Sequence, residues 1–159
     1  MVRSLPAIFL AMTCCVGQAE ARSIGWNYTK SANELSGYPS GEDEPDYVLR
    51  ITCRPGARVD IGVGAHDDIG RGRAGTFSVT LKSGDRTATL SGKSAHSKNF
   101  EMTASSELRS QMSLAEADQL LAVLSSGLPI AVTGPAKDTW SVNGLAAKVR
   151  TFSENCAKR

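Results

Sequence analysis

Hydrophobic positions along this chain follow a period of two for most of its length and a period near 3.6 close to its end. Ile24, Trp26 and Tyr28 alternate with polar residues, which predicts a first strand over 23–30. Residues 47–53 are apolar and β-branched, ending at Cys53, and form the best candidate for a central strand. Beyond an Arg54-Pro55-Gly56 turn, Val59, Ile61 and Val63 alternate with Arg58, Asp60 and Gly62, so the two runs read as a hairpin. Phe77, Val79 and Leu81 lead to a Ser83-Gly84-Asp85 turn and back through Ala88 and Leu90, a second hairpin. Phe100 and Met102 predict a further strand over 99–103. Residues 31–46, with their glycines, prolines and acids, and the serine-rich 91–98 read as loops.

The period then changes. Ser113 and Glu116 make a capping box ahead of a helix over 114–124, whose Ala117, Leu120, Leu121 and Leu124 share one side. Gly127 stands where a left-handed helix end is wanted. Residues 128–133 and a short run at Trp140 read as strands, and Asn143-Gly144 turns the chain. Leu145, Val149, Phe152 and Cys156 fall at i, i+4, i+7 and i+11, one stripe of a closing helix. Strands joined by short turns pair antiparallel. The expected fold is therefore α+β, mainly antiparallel β with about seven strands and two helices.

The first 21 residues change the picture of where the protein works. Arg3, an apolar stretch from Leu5 to Val16 and the small-x-small Ala19-Glu20-Ala21 look like a secretory signal peptide, too short for a stable membrane span. Residues 22–159 then make one globular domain by length. The whole chain carries a formal net charge of +2 with 6% aromatics and no basic run, which argues against a nucleic-acid surface. Cleavage removes Cys14 and Cys15 and leaves only Cys53 and Cys156, in an oxidising compartment. Two thiols allow one intramolecular pairing, tying the C-terminal helix to the central strand. It closes a loop of about 100 residues, for which chain entropy alone gives on the order of 4.7 kcal/mol. Metal ligation needs more partners than the two distant histidines provide, so no metal or other cofactor is expected.

The most conspicuous stretch runs from Gly62 to Gly75 and holds five glycines with His66, Asp67, Asp68, Arg71 and Arg73. A phosphate-cradling loop runs from a strand into a helix; this one runs from strand to strand, which favours a hairpin tip. Residues 64–75 are longer than a turn needs, so His66, Asp67, Asp68, Arg71 and Arg73 are the candidate contacts to a partner, another envelope or secreted protein. His66-Asp67-Asp68 as a metal or general-base site is disfavoured, because three adjacent loop residues converge poorly on one point. Among the many serines none lies in a Gly-x-Ser-x-Gly elbow, so no catalytic residue is assigned.

Leu120 to Gly127, Ile130 and Val132, the run Trp140, Val142, Gly144 and Leu145, then Phe152 and Cys156, follow an ending that resembles the type VI secretion-associated periplasmic accessory proteins. Trp26 and the run from Tyr47 to Cys53 fit that family's early part. The same ending resembles the invasion-associated locus B proteins, whose members carry further cysteines near the start and middle. Both resemblances imply an exported, non-enzymatic accessory or host-contact role in the periplasm or outside the cell. An inhibitor of a cell-envelope enzyme, or a small hydrolase built from scattered residues such as His66, Asp67 and a serine, are the alternatives.

Overall fold

The computed structural model describes residues 20–41, 46–65, 75–96, 106–135 and 137–159. They form one antiparallel sheet with two helices against it. The strands are β1 (Ile24–Thr29), β2 (Glu34–Pro39), β3 (Leu49–Arg54), β4 (Arg58–Ala65), β5 (Thr76–Ser83), β6 (Arg86–His96), β7 (Ser106–Ser113), β8 (Ile130–Thr133) and β9 (Asp138–Trp140). The helices are α1 (Asp118–Leu124) and α2 (Leu145–Cys156). Lateral order is β1-β2-β3-β4-β7-β6-β5-β8-β9. The sheet curls until its edges meet at a parallel bridge between Arg22 and Trp140. With nine strands alternating in direction, the two edges run the same way, so a closing contact has to be parallel.

Small polar bonds hold this seam. Arg22 N–H donates to the Thr139 carbonyl at 2.6 Å, and Ser141 N–H donates to the Arg22 carbonyl at 3.0 Å. Trp26 Nε1–H donates to the Ser141 carbonyl at 2.7 Å, and the Trp26 ring meets Trp140 edge-on with centroids 6.2 Å apart. Both tryptophans are core residues. A buried ring with a satisfied N–H anchors two strands at once.

The inward positions follow the alternation seen in the sequence: Leu49, Ile51 and Cys53 on β3, Val59, Ile61 and Val63 on β4, Val79 and Leu81 on β5, Ala88 and Leu90 on β6. They make one core with α1 and α2, to which α2 contributes Leu145, Val149, Phe152 and Cys156. Cys53 and Cys156 are disulfide-bonded, their Cα atoms 5.6 Å apart, which ties α2 to β3. Gly144 starts α2 at φ 69°, a left-handed conformation in which a side chain would be strained.

Several expectations need correction. The sheet has nine strands, not about seven. Residues 34–39, expected as loop, are β2: Gly37 lies under Trp26, where a Cβ would come within 2.5 Å of the ring, and the packing decides a strand that composition disfavours. Tyr47 precedes β3 instead of belonging to it. β6 continues through the serine-rich stretch to His96, because β5 and β7 flank it on both sides. β7 carries only Leu108 and Met112 as large apolar residues and was not anticipated; β4 and β6 supply its ladders. The capping-box bonds form, yet α1 begins at Asp118: Ser113 still pairs with Arg58, and Leu114 N–H donates to the Ala57 carbonyl at 2.8 Å, which holds 114–117 as a turn. The expected strand over 99–103 and residues 1–19 of the expected signal peptide lie outside the described residues.

β4 and β5 are not neighbours. β7 and β6 stand between them, so the connection has to cross about 14 Å, three inter-strand spacings. Gly64 and Ala65, expected as the start of the loop, belong to β4. The length of the connection thus has a topological cause, and length alone no longer argues for a contact role.

Candidate functional site

The outer face of β2, β3, β4 and β7 carries the densest set of functional groups among the described residues. Register fixes its rows. Arg50, Gly62 and Arg109 lie side by side across β3, β4 and β7; Glu34, Thr52, Asp60 and Gln111 form the next row. A groove of about 440 Å³ opens here, with Glu34, Arg50, Thr52, Asp60, Gly62 and Arg109 among its lining residues. At Gly62, β4 places no side chain of its own between two arginines on strands about 10 Å apart, and Tyr47 takes up the space above it.

Tyr47 leans over Gly62. A Cβ at Gly62 would sit 2.8 Å from the Tyr47 hydroxyl oxygen, and one at Gly64 would collide with the Tyr47 carbonyl oxygen. Two glycines in β4 therefore let the chain before β3 lie flat on the sheet. The Tyr47 ring in turn holds Arg50, whose guanidinium carbon stands 4.5 Å from the ring centroid, a cation–π contact.

The carboxylates of this face are already engaged. Arg54 Nε donates to Asp60 Oδ2 at 2.6 Å, Thr52 donates its hydroxyl to Glu34 Oε2 at 3.1 Å, and Arg109 Nε donates to Glu107 Oε1. Among the described residues no carboxylate pairs with Arg50. Glu107, opposite Gly64, is only 1% exposed, and burial pushes its carboxyl above the ordinary glutamate value. The Arg109 hydrogen bond and charge oppose this rise, and nearby Asp46 adds to it. Its second oxygen, Oε2, and the Tyr47 hydroxyl are both buried without a hydrogen-bond partner among the described residues. The face is rich in donors: among the described residues Arg109 donates through Nε and Arg50 donates to no side chain.

Of the residues singled out in the sequence, Cys53 and Cys156 meet in the disulfide. His66, Asp67, Asp68, Arg71 and Arg73 lie outside the described residues. The strand end that precedes them is placed: Ala65 of β4 stands beside Ser106 of β7, which stands beside His96 of β6. Arg50, Gly62, Arg109, Tyr47 and Glu107 were not identified from the sequence. The outward alternation of Arg50 and Gly62 was legible, but Arg109 joins them only through the β4–β7 pairing, between strands separated by more than 40 residues.

A second, wider concavity of about 840 Å³ lies between α1 and α2, lined chiefly by aliphatic residues such as Leu114, Leu121, Ala122 and Val149 with Asp118 and Arg150. Among the described residues no three His, Cys, Asp or Glu side chains gather as metal ligands, and no helix is long and apolar enough to cross a membrane. Compared with protein-family models, with curated proteins and with solved structures, the chain finds no match in any of the three.

Proposed function

We propose that this chain is a non-enzymatic exported binding protein that works in the periplasm or outside the cell by contacting another envelope or secreted protein. What carries this reading is the Cys53–Cys156 bridge, buried in the core and spanning 103 residues of sequence, a bond that persists where the surroundings are oxidising. Arg22, the first residue left by the expected cleavage, already takes part in the sheet seam. The outer face supports binding in that it holds oriented guanidinium groups beside a groove. His66, Asp67, Asp68, Arg71 and Arg73 are proposed as additional contacts at the rim.

Export is tested by expressing the full chain with a C-terminal tag in a bacterial host and measuring the mass of the accumulated protein. The expected product sits in the envelope fraction, begins at Arg22 and has no free thiol. A cytoplasmic product that retains residues 1–21 and both reduced cysteines would sink the reading. Binding is tested with a photo-crosslinking residue at Gln111 on the outer face and, as control, at Thr89 on the opposite side of the sheet order. One adduct of defined mass from Gln111 and none from Thr89 is the expected result; equal labelling from both removes the contact role of this face. For the rim, residues 66–74 are replaced by a Gly/Ser segment of equal length. A two-residue Asn-Gly turn reaches about 11 Å at most and cannot join β4 to β5. Undiminished capture by the Gly/Ser variant removes the rim residues from the contact.

A further inference from the structure

We infer that the concavity between α1 and α2 is the contact surface for a second copy of this chain, related to the first by a twofold axis. Its walls are chiefly aliphatic, and Ala115 and Ala157 are exposed along it. An open apolar hollow of about 840 Å³ rimmed by polar groups is the kind of surface that marks a contact site. Two charged residues line it, and they decide the occupant. Asp118 stands on the α1 wall and Arg150 on the α2 wall. Both are exposed, and neither side chain has a hydrogen bond or an ion pair among the described residues.

A twofold axis makes this pair of charges its own complement. In such a contact residue i of one copy meets residue j of the other, and j meets i, so Asp118 faces Arg150 of the second copy at two places. Other occupants leave part of the groove unused. An anionic lipid head held by Arg150 would share the groove with Asp118, and a cationic ligand meets the reverse conflict. An uncharged apolar ligand leaves both charges without a partner. A second copy buries the aliphatic walls against walls of the same composition and pairs both charges. Short side chains at Ala122 and Ser153 let the helices of two copies approach closely. The groove at Arg50 and Arg109 shares no lining residue with this concavity, so each copy keeps its outer face. The dimer carries that face twice, and a partner with two matching epitopes gains in effective concentration. The inference goes beyond the binding reading above and holds whether or not an envelope partner exists.

The test is sedimentation equilibrium of the processed, oxidised protein at loadings from micromolar to near-millimolar. A monomer–dimer equilibrium is expected, its mass rising to twice that of one chain. Asp118→Arg and Arg150→Asp each place two like-charge contacts in the interface and should weaken the dimer about ten- to a hundredfold. Mixing equal amounts of the two variants restores both opposite-charge pairs between unlike chains, so a heterodimer of near wild-type affinity is expected. Neither variant carries both halves of the exchange, so no rearrangement within one chain can produce that result. A single monomer mass up to the highest loading overturns the proposal. A dimer of unchanged affinity in both charge variants overturns it too, as does a mixture that stays monomeric. A monomer that cross-links to a different protein from a photo-reactive residue at Ala115, or that takes up decanoate in the concavity, assigns the groove to that occupant and overturns the second copy.

Discussion

The α2 base of the barrel and the Gly62 face treat their polar and apolar groups in opposite ways. At the base, α2 packs against β1 and β2, Phe152 and Cys156 are fully buried, and the Ser113–Glu116 box is saturated. Ser113 N–H and its hydroxyl donate to Glu116 Oε2 at 2.7 and 2.8 Å, and Glu116 N–H donates back to Ser113 Oγ at 3.2 Å. On the Gly62 face the comparable carboxylate, Glu107, is buried, and one of its oxygens and the Tyr47 hydroxyl have no hydrogen-bond partner among the described residues. The two glutamates respond in opposite directions. Hydrogen bonds from the Ser113 backbone and hydroxyl hold Glu116 below the ordinary value, whereas burial holds Glu107 above it. A region that satisfies its groups internally serves stability, and one that leaves donors and acceptors open has room for a ligand.

The strongest way to break this comparison is at the base. Phe152→Ala removes a fully buried ring and is expected to cost about 3–5 kcal/mol by denaturant unfolding. A loss below about 1 kcal/mol would show that α2 is not the anchor. Cys53→Ser should cost about 2–5 kcal/mol in the same measurement. Thiol titration of the denatured, unreduced protein should read close to zero; two thiols per chain would contradict the bridge. Ser113→Ala removes the hydroxyl that bonds Glu116 and is expected to cost about 0.5–1.5 kcal/mol, the net worth of an ordinary hydrogen bond.

The smallest effect sharpens the contrast most. Glu107 keeps its proton in the native chain to higher pH than in the unfolded one. Its contribution is therefore present at low pH and lost as pH rises from the ordinary glutamate value through the raised native one. Glu116 acts with the opposite sign: its contribution is present above the ordinary value and lost as pH falls to the lowered native one. Glu107→Gln should change stability at neutral pH by less than about 1 kcal/mol, because a poorly compensated buried charge is exchanged for a neutral amide of the same shape. Urea midpoints across the acidic range should lose the falling slope in this variant and keep the rising one. An unchanged profile would show that Glu107 is not held protonated by burial.

How much could be read beforehand depended on how local each interaction is. The α2 stripe, the β3–β4 and β5–β6 hairpins and the single disulfide pairing follow from periods, turns and a count of cysteines. β2 and β7 did not follow. Gly37 and Pro39 speak against a strand until Trp26 is laid across Gly37. The polar residues of β7 show no apolar face until β4 and β6 stand on either side of it. The misreading of the β4–β5 connection has the same origin: a glycine-rich segment between two strands looks like a hairpin tip when nothing local says that two later strands will insert between them.

The sequence by itself therefore determined the inward-facing residues, the class of fold and the link between α2 and β3, because period and thiol count depend on neighbours a few positions away or on the one available partner. Only the tertiary structure decided the strand order, the parallel seam at Arg22 and Trp140, and the meeting of Arg50, Gly62, Arg109 and Tyr47. Those depend on pairing between strands far apart in the chain, and register, which a shift of one residue would invert, is set by the whole packed sheet.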